Sequence, residues 1–242
     1  MVTSAASEAR RAPRALCHAG DVFAPYEDLR AALDDIADPE RAEPMAAYMR
    51  NQFVFLGISA KDRRAAVKPW LRAAKRAEPD DLLDLARWCW IQTEREFHHV
   101  GADALRAGAA RLRADDLDVV RGFVTTHSWW DTVDSLAAWT VGPMVAAHDL
   151  GAVMDDWIHD DDFWVARTAI LHQLGYKDRT DGERLFGYAE LRAGDTEFFI
   201  RKALGWALRQ YARVAPDEVR SFVDTHRNAL SGLTIREATK HL

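Results

Sequence analysis

The feature that most constrains this 242-residue chain is a recurrence of similar helical openings at intervals of 34 and 35 residues. Trp130 and Trp164 stand 34 apart, Trp164 and Phe199 stand 35 apart, and Ile200-Arg201-Lys202-Ala203 returns as Ile235-Arg236-Glu237-Ala238 after 35. A period of that size is what stacked helical pairs produce. One short pair cannot bury its own apolar face, so neighbours stack into a curved solenoid whose concave side becomes a binding surface.

Local pattern agrees with that reading. Apolar residues recur three and four apart along almost every segment, and no alternating Val/Ile/Thr run of strand length occurs. Helix starts are expected near Ala24, Arg41, Ser59, Pro79, Thr93, Ala114, Ser128, Gly151, Asp162, Thr180, Asp195, Pro216 and Thr234. Ser59, Asp162 and Asp195 offer capping oxygens, and Pro216 precedes Asp217-Glu218, residue types that suit a first helical turn. The units are degenerate, which fits HEAT-like repeats better than tetratricopeptide repeats with their fixed small-residue signature. The expected fold class is all-α: a right-handed superhelical solenoid of HEAT-like helical repeats with a concave basic groove. No internal linker interrupts the pattern, so residues 21–242 are expected to form a single domain behind a tail over residues 1–20.

Composition excludes several function classes. Hydrophobic residues make up 48% of the chain and charged ones 29%, as in an ordinary globular protein. No run of ~18 apolar residues is present, so no membrane-spanning helix is expected. The segment MVTSAASEARRAPRALCHAG lacks the continuous apolar stretch of a secretory signal, and a cytoplasmic location is expected. Two cysteines, Cys17 and Cys89, cannot supply a disulfide framework or a four-thiolate site. Cys89, between Trp88 and Trp90, reads as a small buried hydrophobe. There is no HExxH, GxSxG, GxGxxG or phosphate loop, and the adjacent His98 and His99 would point about 100° apart on a helix. Neither a metal nor a cofactor is expected.

Four residues in the second half of the chain carry chemistry beyond packing. They are Trp130 and Asp134 in SWWDTVD, Arg167 in FWVARTAIL, and Trp206 in FFIRKALGWALRQY. Most of the nine tryptophans should simply fill the core, so a functional claim needs neighbours a core would reject. Trp130 and Asp134 lie one helical turn apart and project from one face. Arg167 sits mid-helix near the apolar stripe, either snorkelling or held for a bidentate partner. Trp206 shares a face with Phe199 and Lys202, at spacings of seven and four. Two aromatics, a carboxylate and a guanidinium suit something flat, cationic and attached to phosphate.

The formal net charge of -6 argues against a nucleic-acid partner until its distribution is read. Residues 61–76 hold seven Lys/Arg against one acid, and residues 198–213 hold four against none. Acids gather elsewhere, at Asp149, Asp155, Asp156, Asp160, Asp161 and Asp162. A solenoid can therefore be acidic at one edge and basic in its groove.

From about Tyr48 to the C-terminus the chain resembles the AlkD-type DNA alkylation repair glycosylases, a HEAT-like repeat family. The matching stretches are YMRNQFVFLGI followed by Arg63-Arg64, EREFHHVGADAL, SWWDTVD, WVARTAILHQLGYK and FFIRKALGWALRQYARVAPDEV, in order and spacing as well as residue type. The resemblance implies excision of cationic N3- or N7-alkylated purines, such as 3-methyladenine and 7-methylguanine, from double-stranded DNA by a monomer. It implies that the lesion is not flipped into a pocket. It gives Asp134 the developing sugar cation, Trp130 and Trp206 the aromatic walls, and Arg167 the phosphate beside the lesion. Tyr48, Arg64, Phe198, Phe199, Lys202 and Arg209 would lie along the DNA.

Two other classes compete. A non-catalytic helical-repeat module could bind structured DNA or a protein partner, because fold alone establishes no activity. Asp134 separates the two, since a carboxylate aimed at anionic DNA helps catalysis and hinders binding. A hydrolase acting on a cationic small molecule would need a closed pocket.

Overall fold

The computed structural model describes residues 22–242, so the tail expected over residues 1–20 lies outside the described residues. Those described are helical throughout; the nearest thing to a strand is an isolated bridge between Val54 and Glu94. None of their helices is long and apolar enough to cross a membrane.

After four helices, Tyr26–Asp34, Pro39–Tyr48, Ala60–Ala66 and Lys68–Ala74, the chain forms five helical pairs. The first helices of the pairs are Pro79–Trp90, Leu117–Thr125, Gly151–Trp157, Gly182–Leu191 and Pro216–Thr225. The second helices are Arg95–Gly108, Trp130–Leu136, Phe163–Leu171, Phe198–Tyr211 and Gly232–Ala238, beginning 35, 33, 35 and 34 residues apart. Each second helix packs on the next, which is the solenoid that the recurrence predicts. One continuous buried cluster runs from Phe23 to Ala238. Trp70, Trp90, Trp157, Trp164 and Cys89 are buried in it as packing residues.

Local chemistry explains the helix ends. Ser59 Oγ accepts from Asp62 N at 3.1 Å and an Asp162 oxygen accepts from Trp164 N at 2.9 Å, caps that contribute ~1 kcal/mol each. Proline opens the helices at Pro39, Pro79 and Pro216, where its missing N–H has no partner to lose. Several starts differ from expectation by two or three residues. Glu197, not Asp195, caps the Phe198 helix, while Asp195, two residues earlier, accepts from Glu197 N. The last helix starts at Gly232 behind a Ser231 cap, and Thr234 is buried within its first turn. The sequence also hides a π turn at Ala137–Val141, which leads from the Trp130 helix into a further helix, Gly142–His148.

A buried polar hub fills the segment EREFHHVGADAL. The Glu96 carboxylate accepts from the backbone N–H of Leu56 at 3.0 Å, Gly57 at 3.0 Å and Ile58 at 3.1 Å. Gly57 adopts φ 86°, a left-handed conformation that a side chain would strain. These bonds dock the chain after Tyr48 onto the stack. Arg95, fully buried, forks onto Asp131 at 3.0 and 2.6 Å and also donates to the His127 carbonyl at 2.8 Å. His99 Nδ1 lies 3.1 Å from the Arg63 guanidinium, which can only donate, so Nε2–H is left to donate to Asp131 at 2.6 Å. Burial lowers the His99 pKa and favours this neutral form. Burial alone would push the Asp131 carboxyl up, but the His99 and Arg95 bonds outweigh it and hold it well below the usual range. The hub thus clamps the start of the Trp130 helix.

Candidate active site

One open cleft of about 500 Å³ gathers residues from four parts of the chain. The Tyr48–Arg50 segment, the start of the Trp130 helix, the middle of the Phe163 helix and one face of the Phe198 helix each contribute. Trp130, Asp134, Arg167 and Trp206 all line it, together with Tyr48, Phe198, Phe199, Lys202 and Arg209. Tyr48 and Phe198 are exposed at its rim, and the Tyr48 ring stands edge-on to Trp130 at 6.1 Å. Phe199 joins Trp129 and Trp164 in an aromatic cluster with centroids 5.2 and 4.7 Å away. Such tilted contacts make a rigid wall rather than a set of mobile rings.

Asp134 and Arg167 meet inside this cleft. Arg167 Nε is 2.7 Å from Oδ1 and Nη2 is 2.8 Å from Oδ2, and Nη1 donates to the Phe199 carbonyl. The bidentate partner of Arg167 is therefore a carboxylate of the same chain. The Arg167 side chain is 3% exposed and that of Asp134 14%, so the carboxylate is the member that reaches the cleft. Burial pushes the Asp134 carboxyl up from its ordinary value, and Arg167 pulls against that shift. A phosphate oxygen seeking Arg167 would have to compete with both Asp134 and Phe199.

Lys202 and Arg209 are also held. Glu237 accepts from Lys202 Nζ at 2.5 Å and from Arg209 Nη1 at 2.6 Å, and these cations keep its carboxyl low. Gly205 makes the arrangement possible: a Cβ there would fall 2.4 Å from Glu237 Cβ. Arg64 is the one candidate residue outside the cleft. It lines a separate trough of about 650 Å³ with Lys68, Arg72, Lys75 and Arg106. There it shares Asp103 with the buried Arg63, at 3.0 Å from each guanidinium.

Sequence reasoning missed three residues here. Arg50 and Trp129 line the cleft, and Glu237 governs two of its cations. Each left a signal: Arg50 lies within YMRNQF, Trp129 precedes Trp130, and Glu237 stands 35 residues after Lys202 in the repeat.

A model of the family described as DNA alkylation repair enzyme matches residues 29–242. Among solved structures, a predicted DNA alkylation repair enzyme from Enterococcus faecalis is 32% identical, with a TM-score of 0.79 over 85% of this chain and 96% of that one. AlkD2 from Streptococcus mutans is 15% identical, with a TM-score of 0.59 over 83% of this chain and 99% of that one, a likeness of fold alone. No curated protein matches. The family match spans the stack from its first helix to its last residue, and with it every residue of the cleft: the chain belongs to the DNA alkylation repair enzyme family.

Proposed function

We propose that the chain is a DNA glycosylase that excises cationic N3- or N7-alkylated purines from double-stranded DNA. The observation that carries this reading is the Asp134 carboxylate, held by Arg167 in an open cleft lined by Trp130 and Trp206. An alkylated purine bears a formal positive charge and leaves without protonation. As its C1′–N bond breaks, the bonding pair neutralises the base and positive charge develops on the deoxyribose. A carboxylate fixed beside C1′ stabilises that charge and orients the water whose oxygen bonds to C1′. The products are the neutral alkylpurine, an abasic sugar hydroxyl and one proton. Trp130 and Trp206 offer electron-rich faces to the cation, worth ~0.5–2 kcal/mol each.

Arg167 acts here through Asp134, keeping it oriented and opposing its protonation. The exposed rim, at Tyr48 and Phe198, favours approach by a duplex whose damaged base is not flipped into a pocket. The trough around Arg64 would hold phosphates further along the same duplex. Free base released from methylated duplex, measured by chromatography without added metal, tests the proposal. A folded protein that binds duplex yet releases neither 7-methylguanine nor 3-methyladenine would be a non-catalytic binding module instead.

A further inference from the structure

Arg50 occupies the cleft in a backbone conformation that side chains rarely adopt. Its φ is 57° and that of Asn51 is 55°, in a turn closed by Arg50 N to Ala47 O at 2.9 Å and Asn51 N to Ala46 O at 2.8 Å. Two consecutive left-handed residues with side chains carry an energetic penalty, and such strain clusters where function requires it. A glycine would relieve the strain at position 50, yet an arginine stands there.

Charge singles out the same residue. Four cations line the cleft: Arg167 is forked onto Asp134, and Lys202 and Arg209 share Glu237. Arg50 makes no ion pair among the described residues, and its guanidinium carbon lies 6.0 Å from the Trp129 ring centroid. Trp129 also lines the cleft, and its buried indole Nε1 has no hydrogen-bond partner. An exposed cation without an anion and a buried donor without an acceptor thus share one corner of the cleft. A phosphodiester, with one negative charge shared by two non-bridging oxygens, matches a free guanidinium bidentately.

We infer that Arg50 binds the backbone phosphate beside the damaged nucleotide and so positions its sugar against Asp134. This rests on the excision reading given above. Position follows from the cleft, since a nucleotide whose sugar faces Asp134 carries its own phosphate within the same cavity.

The test uses the full chain with Arg50→Gly, Arg50→Gln and Arg50→Lys, assayed on methylated and undamaged duplex. Arg50→Gly should keep or raise the Tm, because it relieves the left-handed strain, while base release falls about tenfold or more. In both the Gly and Gln variants, the slope of log K against log salt should flatten by about 0.9, the signature of one lost phosphate contact. Arg50→Lys should recover the slope but only part of the rate, because a point charge replaces the planar fork. Wild-type rate and slope in the Gly and Gln variants would overturn the inference. So would a Tm loss in Arg50→Gly that accounts for its lost activity. If the unaltered protein releases no base, the excision reading fails instead, and the salt slope still reports whether Arg50 meets a phosphate.

Discussion

The cleft around Asp134 and the trough around Arg64 treat charge in opposite ways. In the cleft, three of four cations are already paired with carboxylates of the protein. In the trough, Lys68, Arg72 and Lys75 make no ion pair among the described residues, and Arg106 lies 4.5 Å from the Trp139 ring centroid. Its single carboxylate, Asp103, is taken by Arg63 and Arg64. Free cations grip any polyanion and are weakened by salt. Paired cations respond only to a ligand able to compete with their partners, which favours discrimination over affinity. By this logic the free cations of the trough favour grip and the paired cations of the cleft favour selection.

Four experiments would break or sharpen that division. Asp134→Asn should slow base release by about a hundredfold to a thousandfold, the scale seen when one electrostatic stabiliser is removed. Duplex binding should persist, and a parallel loss of binding would erase the distinction. Replacing Lys68, Arg72 and Lys75 together with glutamine should weaken binding to damaged and undamaged duplex alike. The slope of log K against log salt should flatten by about 2.7, at about 0.9 per phosphate lost. A change confined to damaged duplex would place selection in the trough. Glu237→Gln frees Lys202 and Arg209, so titration with undamaged duplex should show tighter binding and a slope steeper by about 1 to 2. Weaker binding would mean that Glu237 presents these cations rather than restraining them.

The smallest effect concerns pH. Burial raises the Asp134 carboxyl, so its ionised fraction, and with it the rate of base release, should fall at a higher pH than an ordinary aspartate near 4 would set. A pH–rate profile at saturating duplex measures that limb. Stability responds with the opposite sign. A carboxyl raised on folding binds more protons in the folded state, so its contribution is present in acid and lost as pH rises through the folded value. Asp131, held low by His99 and Arg95 against its burial, contributes stability above the unfolded value and loses it as pH falls. An Asp131→Asn variant would remove that acid-side loss in denaturant melts.

Much of the stack was legible in the sequence because helical periodicity and capping are local. Ser59, Asp162 and Pro216 mark their helix starts by chemistry that needs no tertiary partner. Asp134 and Arg167 occupy matching positions of successive second helices, and Trp130 and Trp206 line the same cleft from the second helices of the second and fourth pairs. Pairing was not legible. That Arg167 turns to Asp134, and that Glu237 holds Lys202 and Arg209, depends on how closely neighbouring helices approach; for the Glu237 pairings, Gly205 permits that approach through an absent Cβ. Arg50 escaped notice because its significance lies in a backbone angle and in the lack of a partner, neither of which is a pattern of residue types.

Most polar cross-links in this chain join residues about one repeat apart: Asp134 to Arg167 at 33, Arg95 to Asp131 at 36, Lys202 to Glu237 at 35. An array wired only in that way is quasi-one-dimensional and can unzip from either end, one unit at a time. The aromatic rim breaks the rule. Tyr48 meets Trp130, and Trp129 meets Phe199, across intervening members of the stack. These contacts tie the fate of the first helices to that of the second and fourth pairs, so fraying at the N-terminal end is felt where Asp134 sits. Cooperativity thus enters this linear array at the walls of the cleft, where contacts reach past the nearest neighbour.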